Sequence, residues 1–192
     1  YFAGTCSFES EELLARVGKS LKALFKKAKA NWVLKCSFDK ANRSSVKSYR
    51  GQGLTKTLEA FARVKAALGV PMLTDVHEAG QVEAVAKVCD VLQIPAFLCR
   101  QTDLLLAAGR TGKVINIKKG QFMAPWDVSN AVAKVESTGN RSILLTDRGT
   151  SFGYGNLVVD MRSFPIMART GYPVLIDATH ACQLPGAKGD ST

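Results

Sequence analysis

The sequence predicts an α/β fold, a (β/α)8 TIM barrel whose C-terminal part is absent from the chain. Short β-branched runs alternate with longer segments of helical periodicity, which is typical of βαβ units on a parallel sheet. Seven such runs fit into 192 residues, whereas a complete barrel takes about 250 residues. An open doubly wound sheet is the alternative, but no G-x-G-x-x-G motif follows the first run, so dinucleotide binding has no support. We therefore expect a single barrel domain over residues 1–192.

Seven strands are predicted, because each segment is a short run rich in β-branched and aliphatic residues. They are Tyr1–Ala3, Trp32–Ser37, Pro71–Val76, Val91–Pro95, Val114–Lys118, Ile143–Thr146 and Val174–Thr179. The eighth strand and two helices of a complete barrel have no counterpart. Since the chain begins at Tyr1 rather than methionine and ends in the polar string AKGDST, we expect it to be a fragment.

Six helices are predicted between these strands. The first opens at Ser10, whose hydroxyl suits an N-cap, and continues to about Lys29. Its apolar residues recur every three or four positions and predict one buried stripe, formed by Leu13, Val17, Leu21 and Leu24. The other predicted helices are Leu54–Ala67, Glu78–Val88, Thr102–Arg110, Pro125–Ser137 and Asp160–Arg169. The glycines Gly149, Gly153 and Gly155 are expected to shape a loop.

The charge balance calls for an anionic partner. The formal net charge is +10, from 26 Lys and Arg against 16 Asp and Glu. Composition alone leaves nucleic acid and small phosphorylated substrates open, although no aromatic-rich nucleic-acid signature accompanies the basic residues. Five scattered cysteines without a C-x-x-C pair favour a reducing cytoplasm. No long apolar run and no leader-like start is present in the sequence, so we expect neither membrane insertion nor export.

Polar residues collect at the predicted carboxyl ends of the strands, where barrel enzymes carry their chemistry. They are Lys35, Ser37, Lys40, Asn42, Arg43 and Ser44 after the second strand, Asp75 and His77 after the third, Gln93 and Arg100 after the fourth, and then Lys118, Arg148, Asp177 and His180. A lysine inside a parallel strand is costly unless it meets an anion, so these cations indicate a phosphate or carboxylate ligand. The alternative is structural pairing: Lys35 with Asp75, Lys118 with Asp177, and Arg148 with Asp147.

Evidence for a metal or a nucleophile is weak at this level. The only histidines are His77 and His180, and Cys6 is the one cysteine placed at a strand end on this face. A lone cysteine or histidine is more often a packed core residue than a ligand. No G-x-S-x-G motif is present, and the loop GQGLT is too short for a Walker motif.

Long motifs in the chain resemble those of the 3-deoxy-D-manno-octulosonate 8-phosphate synthases. The motifs are KCSFDKANRSS, SYRG, TDVHE, LQIPAFLCRQTDLL, INIKKGQF, TDRGTSFGYGNLVVDMRS and DATHACQLPG. This family condenses phosphoenolpyruvate with D-arabinose 5-phosphate and water to give the eight-carbon sugar phosphate and phosphate, a step in the biosynthesis of lipopolysaccharide Kdo. The resemblance implies a homotetrameric, cytoplasmic enzyme that acts on small substrates rather than on nucleic acid or membrane. The related heptulosonate synthases, which use erythrose 4-phosphate, remain the alternative, but they carry K-P-R-T-S in place of the longer first motif.

The resemblance also implies roles for individual residues. The phosphoenolpyruvate site would comprise Lys35, Ser37, Lys40, Gln93, Ala96, Arg100, Lys118, Gln121 and Arg148. The sugar phosphate would be held by Asn42, Arg43 and Ser44, with Arg43 and Ser44 reaching across a subunit interface, and Asp75 and His77 would lie near the aldehyde and the attacking water. Cys6 matches the metal-dependent branch of the family, so Cys6 and His180 would supply two ligands to a divalent metal ion; a glutamate and an aspartate from later sequence would complete the set. The chain departs from the family pattern at Thr5, Lys47, Gly155 and Ala187.

Overall fold

The computed structural model describes residues 1–184, and its centre is a curled parallel sheet of seven strands. The strands of this sheet are β1 (Phe2–Ser7), β2 (Val33–Ser37), β3 (Met72–Asp75), β4 (Val91–Ile94), β5 (Val114–Lys118), β6 (Ile143–Asp147) and β9 (Val174–Ile176). Each strand pairs with the next one along the chain, in the order β1-β2-β3-β4-β5-β6-β9. A doubly wound sheet reverses its strand order, so this sequential order confirms the incomplete (β/α)8 barrel.

Helices connect successive strands and pack side by side outside the sheet. They are α1 (Glu11–Lys27), α2 (Leu54–Leu68), α3 (Ala79–Val88), α4 (Thr102–Arg110), α5 (Val128–Glu136) and α6 (Ser163–Ala168), with 3-10 turns at Ala96–Leu98, Pro125–Asp127 and His180–Cys182. Each of the first four helices contacts the helix that follows it, which produces the outer layer of the barrel. None of the helices within residues 1–184 has the length and apolar character needed to cross a membrane.

The first helix begins as predicted but buries a different stripe. Ser10 Oγ accepts a hydrogen bond from the backbone N–H of Leu13 at 3.1 Å and so caps the helix. Leu14 and Gly18 are buried in the interface, whereas Leu24 is 57% exposed, so the predicted stripe was wrong at its C-terminal end. At the buried position Gly18 the packing is close, because a Cβ there would lie 2.4 Å from Leu68 Cδ1 of α2. The absence of a side chain at this position lets the two helices approach.

Gly153 and Gly155 lie in the turn of an antiparallel hairpin, so they shape a loop as predicted, but the two flanking strands were not predicted. Strands β7 (Thr150–Phe152) and β8 (Asn156–Val158) pair with each other and stand apart from the main sheet. Gly153 adopts a φ of 68° in the turn, a conformation that glycine accepts without steric cost. The fully buried ammonium of Lys119 attaches the hairpin to the barrel, because its Nζ donates to Thr150 Oγ1 at 3.2 Å and to the Met123 carbonyl at 3.3 Å.

Two strand limits differ from the prediction by more than one residue. Strand β1 extends to Ser7 because pairing with β2 holds the small and polar residues after Ala3 in an extended conformation. Strand β9 ends at Ile176, so Asp177 begins the loop that leads to His180. Both differences bring polar residues to the carboxyl edge, by which we mean the C-terminal ends of the seven parallel strands and the residues directly after them. Ala187, one of the departures from the family pattern, lies outside the described residues.

Candidate active site

Three cations from different strands lie within electrostatic range of one another at the carboxyl edge. Lys118 ends β5 and is almost fully buried, and the charges of Lys35 from β2 and Arg148 after β6 both act on it. Burial lowers the pKa of Lys118, and the nearby carboxylate of Asp177 offsets part of that effect. Burial likewise lowers the pKa of Arg148. Three positive charges of this kind, converging on one face, favour the binding of a multiply charged anion.

The structural pairing considered as an alternative occurs for only one of these cations. Lys118 Nζ forms an ion pair with Asp177 Oδ2. Lys35 forms neither an ion pair nor a hydrogen bond through its side chain with any residue between positions 1 and 184. Arg148 does not pair with Asp147; its Nη2 donates instead to the His180 carbonyl at 3.2 Å and to Gln183 Oε1 at 3.3 Å. Lys35 and Arg148 therefore keep most of their charge available for a ligand.

Asp75 and His77 form a second element of the site, beside the cations. His77 Nε2 lies 3.2 Å from Asp75 Oδ2, and the His77 backbone N–H donates to Gln81 Oε1 at 2.9 Å, which fixes the histidine at the start of α3. Burial would raise the pKa of Asp75, but the hydrogen bond from His77 and the positive charges nearby hold it well below its usual range. The carboxylate is thus ionised and held close to an imidazole.

Four further predicted residues line the carboxyl edge: Ser37, Lys40, Ala96 and Gln121. Lys40 Nζ donates to Ser37 Oγ at 2.9 Å, so the lysine head is held above the end of β2. Ala96 is buried in the 3-10 turn after β4, and its carbonyl oxygen would lie 3.1 Å from a Cβ on Gly120. Gln121 is therefore brought next to this turn, on the loop after β5. These predicted residues come together because each follows a neighbouring strand.

The buried polar atoms without a partner concentrate at this edge. Among the described residues, five buried side-chain atoms have no hydrogen-bond partner, and four of them belong to predicted site residues. The four are Asp75 Oδ1, His77 Nδ1, Gln121 Oε1 and Arg148 Nε. Leaving a buried polar atom unsatisfied costs about 1–3 kcal/mol, so the cluster indicates a place where a polar ligand completes the hydrogen bonding.

A buried polar row beneath the cations joins Gln93, a predicted site residue, to Asn116 and Thr146, which were not predicted. Asn116 Nδ2 donates to Gln93 Oε1 at 3.1 Å, and Thr146 Oγ1 donates to Asn116 Oδ1 at 2.7 Å. The three side chains come from β4, β5 and β6 and are almost completely inaccessible to solvent. The only sequence signal for Asn116 is a polar residue between two isoleucines in an otherwise apolar strand.

Four predicted site residues lie away from the cations of the carboxyl edge: Asn42, Arg43, Ser44 and Arg100. The first three lie on the long segment between β2 and α2, where Arg43 Nε donates only to the Tyr49 carbonyl, at 3.3 Å. Arg100 is exposed just before α4, and its carbonyl accepts from Lys134 Nζ at 2.9 Å. Within residues 1–184 no hydrogen bond or ion pair joins any of these four side chains to the cations of the carboxyl edge.

Cys6 and His180 fit a divalent metal ion as two of its ligands. A hydrogen bond with His180 is the main reason that the pKa of the Cys6 thiol falls to about 6, and the positive charges of Lys40 and Lys35 add to this effect. His180 Nδ1 lies 2.8 Å from Asp177 Oδ2, an arrangement that orients the ring and leaves Nε2 for the Cys6 thiol or a metal ion. A thiolate and an imidazole suit zinc or iron. No group of three or more candidate ligands occurs in the described part of the chain, so the pair alone does not complete a site.

The fold and the site together define an anion-binding enzyme of the parallel-barrel class. A family model described as the DAHP synthetase I family matches residues 1–191. Among proteins named 2-dehydro-3-deoxyphosphooctonate aldolase, those of Geobacter sp. (strain M21) and Syntrophotalea carbinolica are 58% and 59% identical to this chain over 190 residues. The alignments cover 99% of this chain and 70% and 69% of the two relatives. The relative from Nitrobacter winogradskyi is 59% identical over 191 residues, which are 99% of this chain and 67% of its own. The chain belongs to the DAHP synthetase I family and, within it, to the 2-dehydro-3-deoxyphosphooctonate aldolases.

Proposed function

We propose that the chain catalyses the condensation of phosphoenolpyruvate with D-arabinose 5-phosphate and water, giving 3-deoxy-D-manno-octulosonate 8-phosphate and phosphate. The observation that carries this proposal is the cluster of unsatisfied buried polar atoms beside three converging cations. A small substrate with both a phosphate and a carboxylate would neutralise those charges and satisfy those atoms. The relatives named above, and the segment from Lys35 to Gly51, support arabinose 5-phosphate as the second substrate.

Phosphoenolpyruvate would bind against Lys35, Lys118 and Arg148. Charge-assisted hydrogen bonds are stronger than neutral ones, and Arg148 offers a planar guanidinium that suits a phosphate or carboxylate. Further contacts at the carboxyl edge would come from Lys40, Ser37, Gln121 and Ala96. The cations would hold the two anionic substrates close together despite their mutual repulsion, and this positioning lowers the barrier of a bimolecular step.

Asp75 and His77 would act at the reacting carbons. Carbon three of phosphoenolpyruvate attacks the aldehyde carbon of the sugar, forming the new C–C bond, and the aldehyde oxygen takes up a proton. Water adds at carbon two, and cleavage of the C–O bond there releases inorganic phosphate. His77 carries a free Nδ1 and Asp75 a free Oδ1, so the pair can accept or return the proton that water loses.

Arabinose 5-phosphate would be held by Asn42, Arg43 and Ser44 on the exposed segment after Lys40. These side chains make no contact with the cation cluster, which is consistent with their binding a substrate in the active site of a neighbouring subunit.

We also propose a homotetramer located in the cytoplasm. Four large apolar side chains, each more than half exposed, surround a groove of about 920 Å³ and would be covered on assembly: Phe122, Trp126, Phe152 and Met161.

A divalent metal ion would be held by Cys6 and His180, where it would supply Lewis-acid and orienting chemistry. Asp177 links this position to the anion site, since one carboxylate binds both Lys118 and the ring of His180. Burial would raise the pKa of Asp177, but the His180 hydrogen bond and the Lys118 charge hold it well below its usual range. The carboxylate therefore stays charged and keeps both partners oriented.

The test is a product assay on the full-length protein with two competing acceptors. We expect phosphate release and the eight-carbon product with arabinose 5-phosphate, and little turnover with erythrose 4-phosphate at equal concentration. A clear preference for erythrose 4-phosphate would instead assign the heptulosonate reaction. Salt-sensitive binding to nucleic acid without turnover of either sugar would indicate a non-catalytic binding protein.

A further inference from the structure

The side-chain amide of Gln93 is hydrogen-bonded within the described residues through its oxygen only. Its Oε1 accepts the hydrogen bond from Asn116 Nδ2, while its Nε2 donates to no residue among positions 1–184. Gln93 is paired in register with Asp75 on one side and with Asn116 on the other. Its free amide hydrogens therefore belong to the same edge as the unsatisfied Asp75 Oδ1.

The direction of this hydrogen bond is set two strands away. A threonine hydroxyl has a single proton, and Thr146 gives it to Asn116 Oδ1 at 2.7 Å. That bond turns the Asn116 amide so that its nitrogen faces Gln93. Each hydrogen bond of the row is therefore donated in the same direction, from β6 to β5 and from β5 to β4. In a buried row, each hydrogen bond polarises and strengthens the next.

We infer that Asn116 is a positioning residue which orients the Gln93 amide so that its N–H groups, and not its oxygen, face the anionic substrate. The inference rests on the proposed function, since it concerns how that site recognises phosphoenolpyruvate. An amide turned the other way would present a partial negative charge to an anion and would lose a donor. Asn116 itself is 1% exposed and acts only through its neighbour.

The decisive variant is Asn116→Asp, which is nearly isosteric. The introduced carboxylate can accept a proton from Thr146 but has none to give, so Gln93 must turn its Nε2 inward and its oxygen toward the substrate. We expect the dissociation constant for phosphoenolpyruvate, measured by calorimetry on the full chain, to rise about tenfold. The KM for arabinose 5-phosphate should stay within about twofold, because the residues proposed to hold the sugar phosphate, Asn42, Arg43 and Ser44, lie outside this row.

A double-mutant cycle separates positioning from a general structural effect. If Asn116 acts through Gln93, the substitution Asn116→Asp should change phosphoenolpyruvate affinity by no more than about twofold in a Gln93→Ala background. Additive losses in the cycle would overturn the role of Asn116 and leave the proposed function intact. A wild-type chain that binds no phosphoenolpyruvate would overturn the proposed function itself.

Thr146 supplies a second pair of variants in case Asn116→Asp fails to fold. Thr146→Ser keeps the hydroxyl and should retain wild-type affinity, whereas Thr146→Val keeps the shape but removes the donor and should weaken phosphoenolpyruvate binding several-fold, on the order of 3- to 10-fold. Wild-type affinity in the Thr146→Val variant, with weakening confined to Thr146→Ser, would mean that the methyl packing of Thr146, and not its proton, supports the site, and the inference would then be wrong.

Discussion

Gly4 on β1 lies directly against the backbone of Lys35 on β2: a Cβ at Gly4 would be only 1.9 Å from the Lys35 carbonyl oxygen. The two residues are partners in the register of the sheet, and the register shifts just beyond them, between Thr5 and Ser7. This close approach places the thiol of Cys6 and the ammonium of Lys35 at one corner of the site. Any side chain at Gly4 would push the two strands apart.

Gly4→Ala should therefore destabilise the chain and weaken phosphoenolpyruvate binding together. We expect the free energy of unfolding in urea to fall by about 2 kcal/mol or more, because the clash is with backbone and cannot be relieved by a rotamer change. Gly80→Ala is the matched control, since nothing lies within 4 Å of a Cβ there and alanine favours a helix. Equal stability of the Gly4→Ala variant and the wild type would contradict the close packing.

Asp75→Asn should lower stability in a pH-dependent manner. The folded pKa of Asp75 lies below the unfolded value of about 3.9, so its ionised form stabilises the fold above that pH, and this contribution is lost as the pH falls toward the folded pKa. We expect a loss of roughly 2 kcal/mol at pH 7 in urea unfolding. The difference from wild type should then shrink below about pH 4.

The same urea measurements on Asp103→Asn give the control for Asp75→Asn. Asp103 is exposed on the first turn of α4 and forms no ion pair with another described residue. Its replacement should change stability little at any pH. A difference between Asp75→Asn and wild type that stayed constant from pH 7 to pH 3 would show that the carboxylate charge of Asp75 does not stabilise the fold.

Arg43→Ala should weaken use of arabinose 5-phosphate much more than use of phosphoenolpyruvate. Loss of one charge-assisted phosphate contact predicts a KM for the sugar about tenfold higher, with the KM for phosphoenolpyruvate within about twofold. Lys47→Ala removes another cation from the same exposed segment and should leave both constants unchanged. A parallel rise of both KM values in the Arg43→Ala variant would contradict the role proposed for Arg43.

Divalent metal should protect Cys6 from alkylation but leave Cys182 reactive. Both thiols are exposed, whereas Cys36, Cys89 and Cys99 are buried, so iodoacetamide should label only the first two in chelator-treated protein. Added Zn²⁺ should slow labelling of Cys6, followed by mass spectrometry, by about tenfold or more, because the metal-bound sulfur is no longer a free nucleophile.

His180→Ala should abolish the Zn²⁺ protection of Cys6 and leave the labelling of Cys182 as the internal reference. Chelation should also remove activity from the full-length enzyme. If Zn²⁺ did not change the labelling rate of Cys6, or if the chelated enzyme kept full activity, the metal assignment would be wrong.

The sequence predicted the seven parallel strands well because their buried runs are short, apolar and regularly spaced. It failed where tertiary contacts override local preference. The residues after Ala3 have little intrinsic strand character and become β1 only by pairing with β2. The β7–β8 hairpin is short and glycine-rich, so its sequence resembles a loop.

For the candidate site, position along the strands predicted that Lys35, Asp75, Lys118 and Arg148 share the carboxyl edge, and these four residues lie there. The row from Thr146 to Gln93 could not be predicted, since it depends on which side chains face each other across three strands. The sequence also could not say that Asp177 would bind Lys118 and His180 at once.

The strict chain order of the seven strands has a consequence for how the protein folds. Each new strand of the sheet can pair with the edge of the strand that precedes it in the sheet, so the sheet can grow stepwise from its first strand. Cys6 belongs to the first strand of the sheet, and His180 follows the last. The proposed metal ligands therefore come from opposite ends of the strand order, and in stepwise growth they would come together later than Lys35 and Lys118, which lie between them.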